Sequence, residues 1–324
     1  MKLKEFQSII AKNNYDAAIL LNPDSNITYF CENELYGFAC LIVPSEKQPF
    51  LITSLLDYEQ AKEKMKIEVI SFREKKRFGR FLVELLEKRG IPTKRIAFNK
   101  KSISCAVFEN LKKSLKATFF DISQDLKTLR EKKTRKEIEI IEKACRITDK
   151  VLNKVLEQFP EFKTETDVEA ELFYHAKKHF ADRSFKAIIA SGRNSSMPHH
   201  ITKNAKLQKG FCIIDFGVKY KGYCSDITRT VYIGTPKKKE KELYQLVLNA
   251  QAKAINHAKP NLQCKELHRI ALNSLKEYGK YFIHGVGHGV GIDIHESPSI
   301  SPFSDDILKE GMVFTIEPVI YLPH

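Results

Sequence analysis

Apolar and polar residues follow two rhythms along the first third of the chain. Residues 3–13, 57–66 and 78–89 carry apolar positions at helical spacing, and Gly90 and Pro92 close the third helix. Between them lie short apolar runs bounded by turn residues. AAILLN, FACLIV, PFLITS, KIEVISF and RIAFN read as strands, PDSN reads as a turn, and another helix begins after Ser104. Alternating strands and helices predict an α/β amino-terminal domain. The rhythm changes at Asp125. A charged stretch reads as a linker. Ile138, Ile141, Cys145, Thr148, Leu152, Val155 and Phe159 then mark one face of a long helix. The expected boundary gives domains 1–124 and 125–324.

After Pro160 the pattern is mixed. A helix opens on a capping box with Thr164 or Thr166 as its cap. SFKAIIASG reads as a strand, RNSSMPHH as a loop, and IIDFGVKYKGYCSDITRT as a β-hairpin. Two amphipathic helices follow, with Gly279 ending the second. A glycine-rich segment (285–291) and an apolar strand, GMVFTIEPVIY, complete an α+β domain.

The hairpin raises a chemical question. If Lys221–Gly222 is its two-residue turn, Tyr220 faces Tyr223 and Gly217 faces Asp226. Asp215, Gly217 and Asp226 then share a face, and the two carboxylates are diagonal neighbours roughly 7–8 Å apart at the backbone. Strand interiors disfavour aspartate, and a buried carboxylate needs a partner. A pair of cations about 3.5–4 Å apart suits that gap. Two aspartates on a solvated sheet face are the other reading, and the hairpin alone leaves both open.

Three further segments bear on the choice. HGVGHGVGIDIHESP carries His284, His288 and His295 among four glycines, and matches neither G-x-G-x-x-G nor H-E-x-x-H. Glu317 lies in the apolar run VFTIEPVIY, where an unpaired carboxylate is again costly. His199 sits in a Ser- and Pro-containing loop from which a polar group can reach a cleft.

Composition adds little to this. The net charge of +14 invites nucleic-acid binding, but the basic clusters (Arg73–Arg80, Lys132–Lys136, Lys237–Lys241) are scattered at helix starts and turns. We read them as solvated lysines and expect no nucleic-acid partner. Seven cysteines without a C-x-x-C pair suit reduced thiols. The amino terminus lacks a signal-peptide pattern, and the apolar run 38–43 is too short to span a bilayer. The expectation is a cytoplasmic protein without a membrane partner.

Taken together and in order, DFG…SDITRT, HGVGHGVG…HESP and TIEP resemble the pita-bread metallopeptidases. That group holds methionine aminopeptidase, Xaa-Pro aminopeptidase (aminopeptidase P) and prolidase, with creatinase as a metal-free relative. ASGRNSSMPHH, RKEIEIIEKACRITDKVL and PDSNITYF are similar to the aminopeptidase P/prolidase branch. The resemblance implies a creatinase-type amino-terminal domain ahead of a pita-bread catalytic domain. It implies metal ligation by Asp215, Asp226, His288 and Glu317, with Asp226 bridging two divalent ions. A carboxylate-rich shell suits Mn²⁺, with Co²⁺, Fe²⁺ or Zn²⁺ as substitutes.

The implied reaction is attack of a metal-activated water on an Xaa-Pro bond. Glu317, His295 and His199 are the implied catalytic residues, with Glu317 moving protons and His295 steadying the oxyanion. His199, His284 and His295 line the substrate pocket. The implied substrates are peptides with proline second, aminopeptidase P is favoured over prolidase, and a homodimer is expected.

The sequence departs from that pattern in three places. Val319 stands where the family has glycine, and LITSLLDYEQA lacks an Asp-Gly-Arg-Tyr-like run. The family's second glutamate, a bridging ligand that follows an arginine, belongs to a strand beyond His324. The expectation is a catalytic domain truncated at its last strands, with low activity as it stands. A pita-bread scaffold protein with an incomplete metal site is the alternative.

Overall fold

The computed structural model describes residues 2–35, 37–73 and 77–323. Residues 74–76 of the basic run at Arg73–Arg80 lie outside the described residues, as does His324. The chain divides into two compact units, Met1–Leu129 and Arg130–His324.

The first unit is built on a six-stranded sheet. Its strands are β1 (Ala17–Leu21), β2 (Ala39–Pro44), β3 (Phe50–Ser54), β4 (Glu68–Phe72), β5 (Arg95–Phe98) and β6 (Thr118–Asp121), in the order β4-β3-β2-β1-β5-β6. The central pairs β1/β2 and β2/β3 are antiparallel, and the outer pairs are parallel. β1, β2 and β3 are buried at every position, which is why they read as continuous apolar runs. PDSN is not a free-standing turn. Asp24 caps a short helix, α2 (Ser25–Cys31), by accepting from the Asn26 backbone N–H. The charged stretch after Asp125, read as a linker, belongs to a helix, α6 (Ser123–Glu131). Leu126 on α6 is buried, so seven polar residues against two leucines hide a packed face.

In the second unit, α7 (Arg135–Gln158) starts on a capping box between Thr134 and Glu137. α8 (Glu165–Lys178) starts on one between Thr164 and Asp167, so Thr164 rather than Thr166 is the cap. These helices cover a three-stranded antiparallel sheet of β8 (Ile188–Ser191), β9 (Gly210–Phe216) and β12 (Ile227–Ile233), in the order β12-β9-β8. The hairpin continues through β10 (Val218–Tyr220) and β11 (Tyr223–Cys224), with Tyr220 opposite Tyr223. Lys221 and Gly222 both have positive φ (48° and 82°), the signature of a two-residue hairpin turn. The register holds across it, so Thr228 pairs with Asp215.

Phe216 is fully buried beside Asp215 and meets Phe173 edge-on at 6.2 Å. Phe216→Ala is expected to cost about 3–5 kcal/mol, read as a lower urea midpoint at unchanged m-value.

The last third holds α9 (Lys238–His257), α10 (Cys264–Ser274) and the two-stranded ribbon β13 (Gly287–Gly289) with β14 (Glu296–Ile300). Gly279 does not end α10, which stops at Ser274. It lies inside a following 3₁₀ turn, Lys276–Tyr281. GMVFTIEPVIY forms no regular strand among the described residues. It is extended; one edge pairs with the histidine segment, and on the other Gln251 Nε2 donates to Ile316 O (2.8 Å). Val290 N–H donates to Val313 O (3.0 Å), Thr315 N–H to His288 O (2.9 Å) and Glu317 N–H to Val286 O (2.7 Å). These bonds define an antiparallel register that ties Glu317 to the histidine segment.

Candidate active site

Asp215 and Asp226 arrive from the two arms of the hairpin. Gly217 stands between them for steric reasons, because a Cβ there would lie 2.0 Å from Ser225 O and 2.3 Å from Ser184 Oγ. Behind it, Ser225 Oγ hydrogen-bonds Thr148 Oγ1 of α7 (2.5 Å), which fixes the backbone next to Asp226. His288 comes from β13 and Glu317 from the extended segment paired with it. His288 Nε2 lies 3.2 Å from Glu317 Oε1 and 3.5 Å from Asp226 Oδ2.

The three carboxylates differ in environment. Burial, then the Asp226 and Glu317 charges, push the Asp215 carboxyl up to about 7, although it accepts a bond from Thr228 Oγ1 (3.1 Å). Burial and the Glu317 charge push Asp226 up to about 6. Burial acts on Glu317 as well, but bonds from His288 and Thr315 outweigh it and hold that carboxyl below its ordinary value. Burial alone would lower the His288 imidazole. Glu317, Gly289 O and Asp226 raise it instead. The single imidazole is shared between Glu317 and Asp226, and Asp215 and Asp226 repel each other.

Among the described residues, no three such donors are already closed into a metal cage. The donor chemistry still suits a divalent ion. In the tautomer whose Nδ1–H donates to Gly289 O (3.1 Å), the Nε2 would be free to ligate a cation in place of donating to Glu317. Three hard oxygen donors complete the set.

The other histidines surround this cluster. His295 packs its ring against His288 at a centroid distance of 4.1 Å. Burial, then the neighbouring His288, lower its basicity. His199 is exposed on its loop, yet close enough for its charge to lower His295 further. His284 bonds Gly285 O through Nδ1 (2.6 Å), and its Nε2 lies 3.4 Å from the Tyr321 hydroxyl. A cavity of about 990 Å³ opens on Asp215, Asp226, His284 and Glu317, and is lined on another side by Met197 and Pro198.

Four contributors escaped the sequence reading. Thr315 Oγ1 donates to Glu317 Oε1 (2.8 Å) and Tyr321 packs on His284. Both share parity with Glu317 along an extended segment, which is a readable signal. Thr228 sits opposite Asp215 in the register. Glu296, beside His295, accepts from Arg130 Nη2 and Lys133 Nζ at 2.5 Å each. Nothing in the sequence announces a contact across that separation.

This arrangement of a carboxylate–imidazole cluster at the base of a peptide-sized cavity defines a metallohydrolase. Residues 139–324 match the model of metallopeptidase family M24, and residues 2–132 match the creatinase/prolidase N-terminal domain. The chain belongs to metallopeptidase family M24, with a creatinase-type amino-terminal domain and a pita-bread catalytic domain. It is 39% identical to an Xaa-Pro dipeptidase of Pyrococcus furiosus over 99% of this chain and 91% of that protein. Its fold is similar to that of a prolidase from Pyrococcus horikoshii (TM-score 0.91, 37% identity, 99% of this chain and 91% of that one). It is also similar to an X-Pro aminopeptidase from Thermotoga maritima (TM-score 0.86, 32% identity, 96% and 90%). No helix among the described residues is long and apolar enough to cross a membrane.

Proposed function

We propose that this metallopeptidase is an Xaa-Pro dipeptidase, which cuts the bond between a first residue and a carboxy-terminal proline. The observation that carries the reading is the convergence of Asp215, Asp226, His288 and Glu317 at one end of the cavity. These residues would hold divalent ions, Mn²⁺ first and Co²⁺, Fe²⁺ or Zn²⁺ as substitutes. When bound, such ions lower the pKa of water and polarise a peptide carbonyl.

The chain's own groups do the rest. Glu317, kept ionised by Thr315 and His288, accepts a proton from the attacking water at its carboxylate. His295, kept largely neutral, donates a hydrogen bond to the developing oxyanion. His199 and His284 orient the proline side, with Gly285 O and the Tyr321 hydroxyl fixing the His284 ring. The scissile amide of an Xaa-Pro bond has no N–H, so recognition falls to such ring and carbonyl contacts.

Two Pyrococcus relatives named Xaa-Pro dipeptidases, at 39% and 38% identity, support the dipeptidase. They weigh against the aminopeptidase P preference expected from the motifs. A cytoplasmic homodimer is part of the same proposal; the seven reduced cysteines support the compartment.

The test is a Mn²⁺-dependent assay of an Xaa-Pro dipeptide against an Xaa-Pro-containing tripeptide, with a chelator control. We expect kcat/KM at least about tenfold higher for the dipeptide, a difference of about 1.4 kcal/mol in transition-state binding, with both activities abolished by the chelator. Preference for the tripeptide would restore the aminopeptidase reading. Tight Mn²⁺ binding without hydrolysis of either would favour the scaffold alternative.

A further inference from the structure

We infer that Glu165 is a positioning residue for this pocket, fixing the loop of residues 191–200 so that His199 is presented to the substrate. The inference rests on the role proposed above for His199. Glu165 is the first residue of α8, with no solvent exposure. Its Oε1 accepts from Ser191 N–H (3.0 Å), Ser191 Oγ (3.2 Å) and Asn194 Nδ2 (2.8 Å), and its Oε2 pairs with His200 Nε2 at 2.8 Å. Those three partners sit at the start, middle and end of the loop. Of the residues between them, Gly192, Arg193, Ser195, Ser196, Met197 and Pro198 line the cavity, and the exposed His199 follows directly.

One side of the loop is therefore bonded to a single buried carboxylate, and the other faces the space where a peptide would lie. Thr202 adds a tether just beyond, accepting from Ile189 N–H (2.9 Å) and donating to Ala187 O (3.1 Å). Glu165 is not needed to cap α8, because Thr164 and Asp167 already satisfy that terminus. A fully buried carboxylate must have such partners. Here all of them belong to the loop that carries His199. Hydrogen bonds from Asn194, Ser191 and His200 outweigh the effect of burial and hold Glu165 below its ordinary carboxyl value, in keeping with a charge that stays on.

The experiment compares the parent with Glu165→Gln, His199→Ala and the double variant, each loaded with Mn²⁺. It reads kcat and KM for an Xaa-Pro dipeptide, the Mn²⁺-induced rise in Tm, and the rate of tryptic cleavage after Arg193. Glu165→Gln is expected to raise KM by about tenfold and move kcat by less than about threefold. It should leave the Mn²⁺ shift at the parental value, change KM no further when added to His199→Ala, and speed cleavage after Arg193 several-fold.

A parental KM, effects that multiply with those of His199→Ala, a lost Mn²⁺ shift, or an unchanged cleavage rate would each overturn the inference. An inactive parent would sink the proposed function instead. The cleavage rate then decides this inference alone, acceleration sustaining it and a parental rate removing it. Should Glu165→Gln fail to fold, Asn194→Ala removes one of the bonds and carries the same expectations.

Discussion

Asp226→Asn is expected to abolish Mn²⁺-dependent hydrolysis while making the metal-free protein more stable. The two effects have opposite signs because the same charge serves two states. Without metal, Asp215 and Asp226 share a poorly hydrated cleft; burial, then the Asp226 and Glu317 charges, push the Asp215 carboxyl up, and burial, then the Glu317 charge, push up Asp226. Asparagine keeps the shape and removes one like charge. In the presence of a chelator the variant should therefore melt a few degrees higher than the parent, for a gain of about 1–2 kcal/mol.

With metal the order reverses. A divalent ion at one hundred times its Kd stabilises the parent by about 2.7 kcal/mol, and the variant should lose most of that shift. Hydrolysis should fall by about a thousandfold or more relative to the parent, equivalent to about 4 kcal/mol of barrier. The check is a pair of melting curves, with chelator and with Mn²⁺, beside the dipeptide assay. A variant with the parent's Mn²⁺ shift would show that Asp226 holds no ion.

The second large effect is steric. Gly287→Ala is expected to destabilise the protein by about 3 kcal/mol, a fall in Tm of roughly 6–12 °C for a domain of this size. It should also blunt the response to Mn²⁺. A Cβ at this position would lie 2.0 Å from Thr315 O and 2.9 Å from Thr315 Oγ1. A backbone carbonyl cannot rotate out of the way, so the segment carrying Thr315 and Glu317 must move outward. That opens the 3.2 Å contact between His288 and Glu317 and spoils a shared ligand set as well as local packing. Calorimetry of parent and variant with and without Mn²⁺ separates the two losses. Parental melting with a parental shift would refute the crowding.

What could be read in advance depended on how local the information was. The pairing of Tyr220 with Tyr223 followed from one two-residue turn, because a hairpin's register is set by its loop; the same register puts Thr228 opposite Asp215, a partner not drawn from the sequence. The buried strands β1, β2 and β3 were visible as continuous apolar runs. β6 was not read, because TFFD is a short strand whose two ends are exposed. α6 was read as linker because its charges outnumber the apolar residues that pack. The extended run around Glu317 was expected as a regular strand, but among the described residues its backbone pairs with the histidine segment's irregular edge and its Ile316 O is met by a side chain, Gln251.

At the site, the four clustered side chains lie in segments with their own signatures. Glu165 does not, since its four bonds reach partners 26 to 35 residues away. Its helix start advertises only capping. Contacts of that kind belong to tertiary packing and leave no periodic trace.

The buried trio of Arg130, Lys133 and Glu296 bears on how the catalytic half can be handled in the laboratory. The matched M24 region begins at residue 139, nine positions after the compact unit itself starts at Arg130. A fragment cut at the former limit would discard both guanidinium and ammonium groups and strand Glu296, next to His295, in the interior. Orphaning a buried ion in this way costs about 3–5 kcal/mol. An excised hydrolase half should therefore begin no later than residue 130, so that Arg130 and Lys133 stay with Glu296.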